Sequence, residues 1–165
     1  MSRVGEVYKV PYVDQNRYFQ FVAIDQTQLN SDVIAVFKLE SASDEVAGID
    51  AITQSEIEFF THTTVNAGIN QSLWEKIGSS DVVDSSDALF KEVYYENGLP
   101  DIEPFEADSY HSWIIWSING EWQHIGSEID KYPNAELGAV FPPDSIVYRI
   151  KNGQYEGVPY YGQVR

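Results

Sequence analysis

Val4-Gly5-Glu6-Val7-Tyr8-Lys9-Val10-Pro11, then Tyr18-Phe19-Gln20-Phe21-Val22-Ala23-Ile24, then Val33-Ile34-Ala35-Val36-Phe37-Lys38-Leu39: three β-rich runs open the chain. The first alternates, with Val4, Glu6, Tyr8 and Val10 on one side and Gly5, Val7 and Lys9 on the other, until Pro11 closes it. Asp14-Gln15-Asn16 is a turn cluster, and Asp25–Asp32 is polar and turn-like. The third run is apolar enough to be covered on both faces. Three strands with short connections predict an antiparallel meander, curled early into a small barrel or half-barrel.

Beyond the meander the pattern is less regular. A short helix is expected near Asp44–Ile52, where Val46, Ile49 and Ala51 or Ile52 share a face. Glu56–Val65 reads as a strand, with Ile57, Phe59 and Thr61 alternating against Glu58, Phe60 and His62. Ile69–Ile77 is a helical turn or a loop that inserts Leu73, Trp74 and Ile77 into the core, and Gly78 is expected to end it with a positive φ. Ser79–Asp87 is a polar loop. Ala88–Tyr95 fits a helix face or a strand, and the hairpin signal Asn97-Gly98 favours the strand. In Tyr110–Ile118, His111, Trp113, Ile115 and Ser117 face one way and Ser112, Ile114, Trp116 and Ile118 the other. Asn119-Gly120 then predicts a tight hairpin into Glu121–Ile125. Pro133 breaks Ser127–Leu137, Ser145–Ile150 is a last strand or short helix, and Gly153–Arg165 is an extended tail pinned by Tyr155, Tyr160 and Tyr161. The expected class is α+β, mostly β: a strongly twisted antiparallel sheet or partly open barrel with one to three short helices. The chain reads as one domain over 1–165, with a meander at about 4–39, an acidic middle at 40–108 and a C-terminal hairpin and tail at 109–165.

One short pattern occurs twice. Trp74-Glu75-Lys76-Ile77-Gly78 and Trp122-Gln123-His124-Ile125-Gly126 both read Trp-x-x-Ile-Gly and bracket the acidic middle. A large indole, a branched aliphatic and a glycine turn make both expected core pins.

The net charge of −16 is unevenly spread. Residues 40–108 hold sixteen acids against Lys76 and Lys91, while residues 1–39 are neutral and 109–165 carry a net of −2. Such a field repels nucleic acid and anionic membrane and steers a cationic partner inward. At 43% hydrophobic and 14% aromatic the chain can bury a sizeable core. It has no cysteine, so disulfides and thiolate metal sites are excluded. Met1-Ser2-Arg3-Val4-Gly5-Glu6 has no apolar signal region and no run reaches membrane-spanning length; a soluble cytoplasmic protein is expected.

Catalytic patterns are missing. The glycines lack phosphate-loop spacing, there is no Gly-x-Ser-x-Gly elbow, and His62, His111 and His124 have no metal-ligand spacing. Asp81, Asp84 and Asp87 lack the alternating ligands and central glycine of a calcium loop. Trp113, Trp116 and Trp122 with paired carboxylates suggest a carbohydrate-binding or carbohydrate-active domain as an alternative, although alternation sends Trp113 and Trp116 to opposite faces. No catalytic residue, metal or cofactor is expected. Protein binding remains: acids interleave with aromatics from Phe90 to Tyr110, the composition of a charged interface with aromatic anchors.

The opening Val4–Pro11 and Tyr18–Val22 resemble the start of the immunity protein 26 family of bacterial polymorphic-toxin and contact-dependent inhibition systems. Ser72-Leu73-Trp74-Glu75-Lys76-Ile77-Gly78 resembles that family's Trp-x-x-Ile-Gly segment, Ala88-Leu89-Phe90-Lys91 its Phe-Lys piece, and Glu136–Val140 with Ile146, Arg149 and Ile150 its C-terminal end. The matching order spans about 150 residues. The Gly- and Tyr-rich C-terminus departs from the pattern, and Asp101–Asp108 matches no family motif. The resemblance implies a small cytoplasmic, non-enzymatic protein that binds and neutralises a cognate toxin domain. Taken with the charge, it predicts a basic partner of nuclease type, contacted by Glu56, Glu58, Glu75, Asp81, Asp84, Asp87, Tyr94, Tyr95, Glu96, Asp101, Glu103, Glu106 and Asp108. The free protein is expected to be a monomer.

Overall fold

The computed structural model describes residues 1–94 and 112–157. Three long strands come first: β1 (Glu6–Tyr12), β2 (Gln15–Asp25) and β3 (Ser31–Ala42). Then follow α1 (Ile49–Thr53), β4 (Ile57–Thr63), α2 (Val65–Asn70), β5 (Glu75–Ser79) and β6 (Leu89–Tyr94). The last part contains β7 (Ser112–Ser117), β8 (Gln123–Gly126), a 3-10 turn (Glu128–Lys131), β9 (Glu136–Leu137), β10 (Val140–Phe141) and α3 (Pro143–Asn152). A six-stranded sheet has the order β10-β4-β3-β2-β1-β5 and a four-stranded sheet the order β8-β7-β6-β9. The predicted meander is the centre of the larger sheet. Pairing is antiparallel except at the two-residue strands β10, along β4, and β9, along β6. The protein is α+β and mostly β, as expected, and its strands form two mixed, mostly antiparallel sheets.

Two-sided burial of β2 and β3 makes the layers. One face of the large sheet carries Tyr8, Phe19, Phe21, Ile34, Val36 and Phe59, covered by Val65 of α2, by Trp74 and by Ile146 and Ile150 of α3. The other face is covered in two places. Val22, Val33 and Ala35 meet Phe90, Ile114 and Trp116 of the small sheet, and Val7, Tyr18 and Phe37 meet Ile52 of α1. The outer side of the small sheet packs Val93, Trp113 and Ile115 against Ile129 of the 3-10 turn. Trp113 and Trp116 therefore do face opposite ways.

Several local expectations change. Pro11 lies inside β1, opposite Asn16, but past Lys9, the last β1 residue that β5 pairs with; a residue without an N–H is tolerated at such an open edge. The helix expected near Asp44–Ile52 shortens to α1. Ser145–Ile150 lies in a helix, α3, because Pro143 favours its first turn and Gly153, at φ 79°, closes it with an N–H to the Arg149 carbonyl. Gly78 sits within β5 and not at a positive-φ turn; Ile49 packs against it, 2.9 Å from where a Cβ would stand. Trp122 is 48% exposed and is no core pin. Asn119-Gly120 does not make a tight hairpin, since Ile115 pairs with Gln123 and leaves a wider turn. Asn97-Gly98 lies outside the described residues. Among the described residues no helix is long and apolar enough to cross a membrane.

The two buried indoles of the large core contacts rest on glycines. A Cβ on Gly68 would stand 2.0 Å from the Trp74 ring, and one on Gly138 1.9 Å from the Trp116 ring. Gly68→Ala and Gly138→Ala should each lower stability by about 2 kcal/mol or more, the cost of overpacking a filled core. Urea unfolding followed by tryptophan fluorescence measures both.

Candidate functional site

The small sheet leans on the large one beside β4, and a cleft of about 350 Å³ remains at that junction. Ile57 and Phe60 from β4 and Leu89 from β6 form its apolar lining, with Pro133 and Asn134 along one side. Four carboxylates also line it: Glu58, Asp84, Asp87 and Glu136.

Glu58 is fixed from beneath by Arg17. That side chain comes from β2, is buried, and donates through Nε and Nη2 to the Phe37 carbonyl at 3.1 and 2.7 Å. Its Nη2 also meets Glu58 Oε2 at 2.7 Å. Glu136 is held by Arg149 of α3 through two parallel bonds of 2.7 Å each. The Arg149 guanidinium lies 3.7 Å from the centre of the Phe59 ring and 4.8 Å from that of Tyr155. Burial works against its charge, but the Glu136 carboxylate outweighs burial and holds Arg149 above its ordinary value. Tyr155 is itself locked in place, stacked on Phe141 at 3.8 Å and hydrogen-bonded to Thr61 at 2.7 Å. Its phenol is pushed up to about 12 by burial.

Asp84 and Asp87 sit on the exposed loop between β5 and β6. The start of that loop is anchored by Gln20, which is fully buried on β2. Gln20 donates to the carbonyls of Gly5 and Asp81 at 3.2 and 3.0 Å and accepts the Val83 N–H at 2.9 Å. Asp84 Oδ1 accepts the Ser86 N–H at 3.0 Å, which lowers its pKa from the ordinary value. Neither aspartate belongs to an ion pair among the described residues.

The structure thus brings together Glu58, Asp84 and Asp87 of the predicted contacts and adds Glu136. Others go elsewhere. Glu56 is exposed and pairs with Lys38 at 2.6 Å. Glu75, on β5, pairs with Lys9 of β1 and lies four strand spacings from the strand of Glu58, about 19 Å across the sheet. Asp81 is exposed where the loop leaves β5. Tyr94 is half-buried at the end of β6, edge-on to His124 at 4.8 Å. Tyr95, Glu96, Asp101, Glu103, Glu106 and Asp108 lie outside the described residues. Arg17 had one visible signal: a cation inside an apolar strand needs a buried partner. The Glu136–Arg149 pair had none, because nothing in the local spacing joins β9 to α3.

The cleft is suited to ion pairing with an ammonium or guanidinium group. Among the described residues, no three His, Asp or Glu side chains converge to hold a metal ion. The alternative of a sugar platform needs indoles side by side on an exposed face. Trp74, Trp113 and Trp116 are buried to within 2% exposure, leaving Trp122 alone at the surface. In comparisons with protein-family models, curated proteins and solved structures, nothing matches this chain.

The four carboxylates should separate on substitution. Glu136→Ala strands the Arg149 cation and should cost about 3 kcal/mol. Asp84→Asn and Asp87→Asn, at exposed positions without an ion pair among the described residues, should change stability by no more than about 0.5 kcal/mol. Urea midpoints at constant m-value measure the difference.

Proposed function

We propose that this chain is an immunity-type inhibitor that binds a cognate bacterial toxin domain, with the acid-lined cleft and its β5–β6 loop as the contact surface. The partner is a basic domain of nuclease type. Inhibitor carboxylates occupy the position that nucleic-acid phosphates would take on it. The protein acts in the cytoplasm as a monomer, without a cofactor and without catalytic residues of its own.

The observation that carries the reading is the division of labour at the cleft. Glu58 and Glu136 are held rigid by buried arginines, while Asp84 and Asp87 stand beside them exposed and, among the described residues, without an ion pair. Rigid acids cost little further ordering on binding, and the free aspartates supply the uncompensated charge. The apolar lining gives a partner side chain surface to bury. The excess of acid in residues 40–108 and the ordered resemblance to the immunity protein 26 family point the same way.

The direct test is a pull-down with the toxin encoded beside this gene, together with co-expression. Binding and rescue of growth are expected; neither binding nor protection would sink the proposal. Asp84→Asn/Asp87→Asn should slow association about tenfold at low salt while leaving the fold intact, and the gap from the unaltered protein should narrow as salt screens the charges. Stopped-flow association at two ionic strengths reads both effects.

A further inference from the structure

Asp25 closes β2 in the interior, with no exposed surface, and three donors converge on its carboxylate. His62 Nε2 lies 2.8 Å from Oδ2, Trp116 Nε1 3.3 Å from the same oxygen, and the Asn119 N–H 3.1 Å from Oδ1. Asp25 and His62 belong to the six-stranded sheet. Trp116 and Asn119 belong to β7 and the turn after it. One carboxylate therefore ties the two sheets together. Asn119 extends the tie, since its Oδ1 accepts the Gln26 N–H at 2.7 Å and its Nδ2 donates to the Ile24 carbonyl at 3.1 Å.

His62 is also wholly buried, its ring 4.1 Å from that of Phe90. Its Nδ1 has no hydrogen-bond partner among the described residues. With Nε2–H given to Asp25, a neutral ring leaves only a bare acceptor at Nδ1. A protonated ring would carry a second N–H there with nothing to receive it, the costlier state. Among the described residues, the elements around the ring supply no alternative. β3 places Val33 opposite it and β10 places Val140, while β6 contributes Phe90 and β7 Trp116. Among the described residues Asp25 is the one charged group hydrogen-bonded to it. Asp32, one step along β3, is engaged by the Val65 N–H. Lys91 follows Phe90 and leaves β6 from the other face, by strand alternation.

We infer that the Asp25–His62 pair is an acid-operated latch: protonation of His62 loosens the β7–Asn119 corner of the four-stranded sheet from the six-stranded sheet. Burial supports this by lowering the affinity of the ring for a proton below its ordinary value of 6.5, against the raising influence of Asp25. Above 6.5 the ring is neutral in both the closed and the opened state, and the latch is at full strength. Below 6.5 the opened state takes up a proton that the closed state resists, so closure weakens as pH falls, by at most about tenfold per unit. The proposed binding cleft is bounded by the same two sheets, but the latch can be tested with no partner present.

Native-state hydrogen exchange of the Gln26, Asn119 and β7 amides between pH 7.5 and 5.0, corrected for intrinsic rates, reads the opening. Protection should fall as pH drops below 6.5, approaching tenfold per unit. His62→Gln retains an N–H for Asp25 but gains no proton, and should flatten the dependence. A flat profile in the unaltered protein, or the same slope in His62→Gln, overturns the latch. Ring nitrogen NMR of the unaltered protein decides the matter should that variant fail to fold. A neutral Nε2–H ring persisting in the folded state below pH 6.5, with exposed His124 as reference, is expected; protonation of folded His62 at or above 6.5 overturns it.

Discussion

Val33 to Phe37 is buried on every residue, and the rest of the structure follows from that constraint. Side chains on a strand alternate, so five consecutive apolar residues demand a cover on each face. A full Val, Ile or Phe burial is worth about 1.5–3 kcal/mol, so leaving either face open would forfeit several such contributions. Two helices with Trp74 and Tyr155 cover the side of Ile34 and Val36; the small sheet and α1 cover Val33, Ala35 and Phe37. Neither cover can be replaced by water, and neither is contiguous in sequence.

Apolar packing alone would let such layers slide. Buried polar groups restrict them, because each must find its partner at one relative position or remain unsatisfied at a cost of about 1–3 kcal/mol. Arg149 fixes α3 to β9 through Glu136 while its flat face lies against Phe59 of β4. Gln20 fixes the β5–β6 loop to β2, and Asp25 fixes the turn after β7 to the end of β2. These pins sit at different places on the junction between the layers, so together they orient it.

The elements whose signal is local were legible from sequence. Alternation in β1, β4 and β7 placed Tyr8, Phe59 and Trp116 on their faces, and the unbroken apolar run marked β3 as central. What failed depended on distant partners. Trp74 and Trp122 share a motif, but only Trp74 meets a glycine, Gly68, that lets its ring lie against a helix; Trp122 occupies an open turn. Asn119-Gly120 has the composition of a tight hairpin, yet the Asn119 side chain bridges to Ile24 and Gln26, and that docking replaces the short turn. Glu58 and Glu75 are near in sequence, but β5 returns to pair with β1 while β4 pairs with β3, which puts three strands between them. An acidic stretch read along the chain is thus divided in space by strand order, a long-range property that composition does not carry.

The same division bears on how a binding surface can vary without loss of the fold. Glu58 and Glu136 each neutralise a buried guanidinium, and removing either leaves a cation stranded in a low-dielectric environment. Asp84 and Asp87 neutralise no buried cation among the described residues, and the start of their loop is held to the sheet by Gln20, while Asp84 makes only a local bond to the Ser86 N–H. Substitutions at the aspartates can alter charge and shape at the mouth of the cleft with little consequence for the layers below. Structural acids then fix where the cleft is, and under the proposed function the loop acids determine what it attracts. A recognition protein obliged to follow a changing partner gains from that arrangement, because specificity is tuned at positions whose stability cost is close to zero.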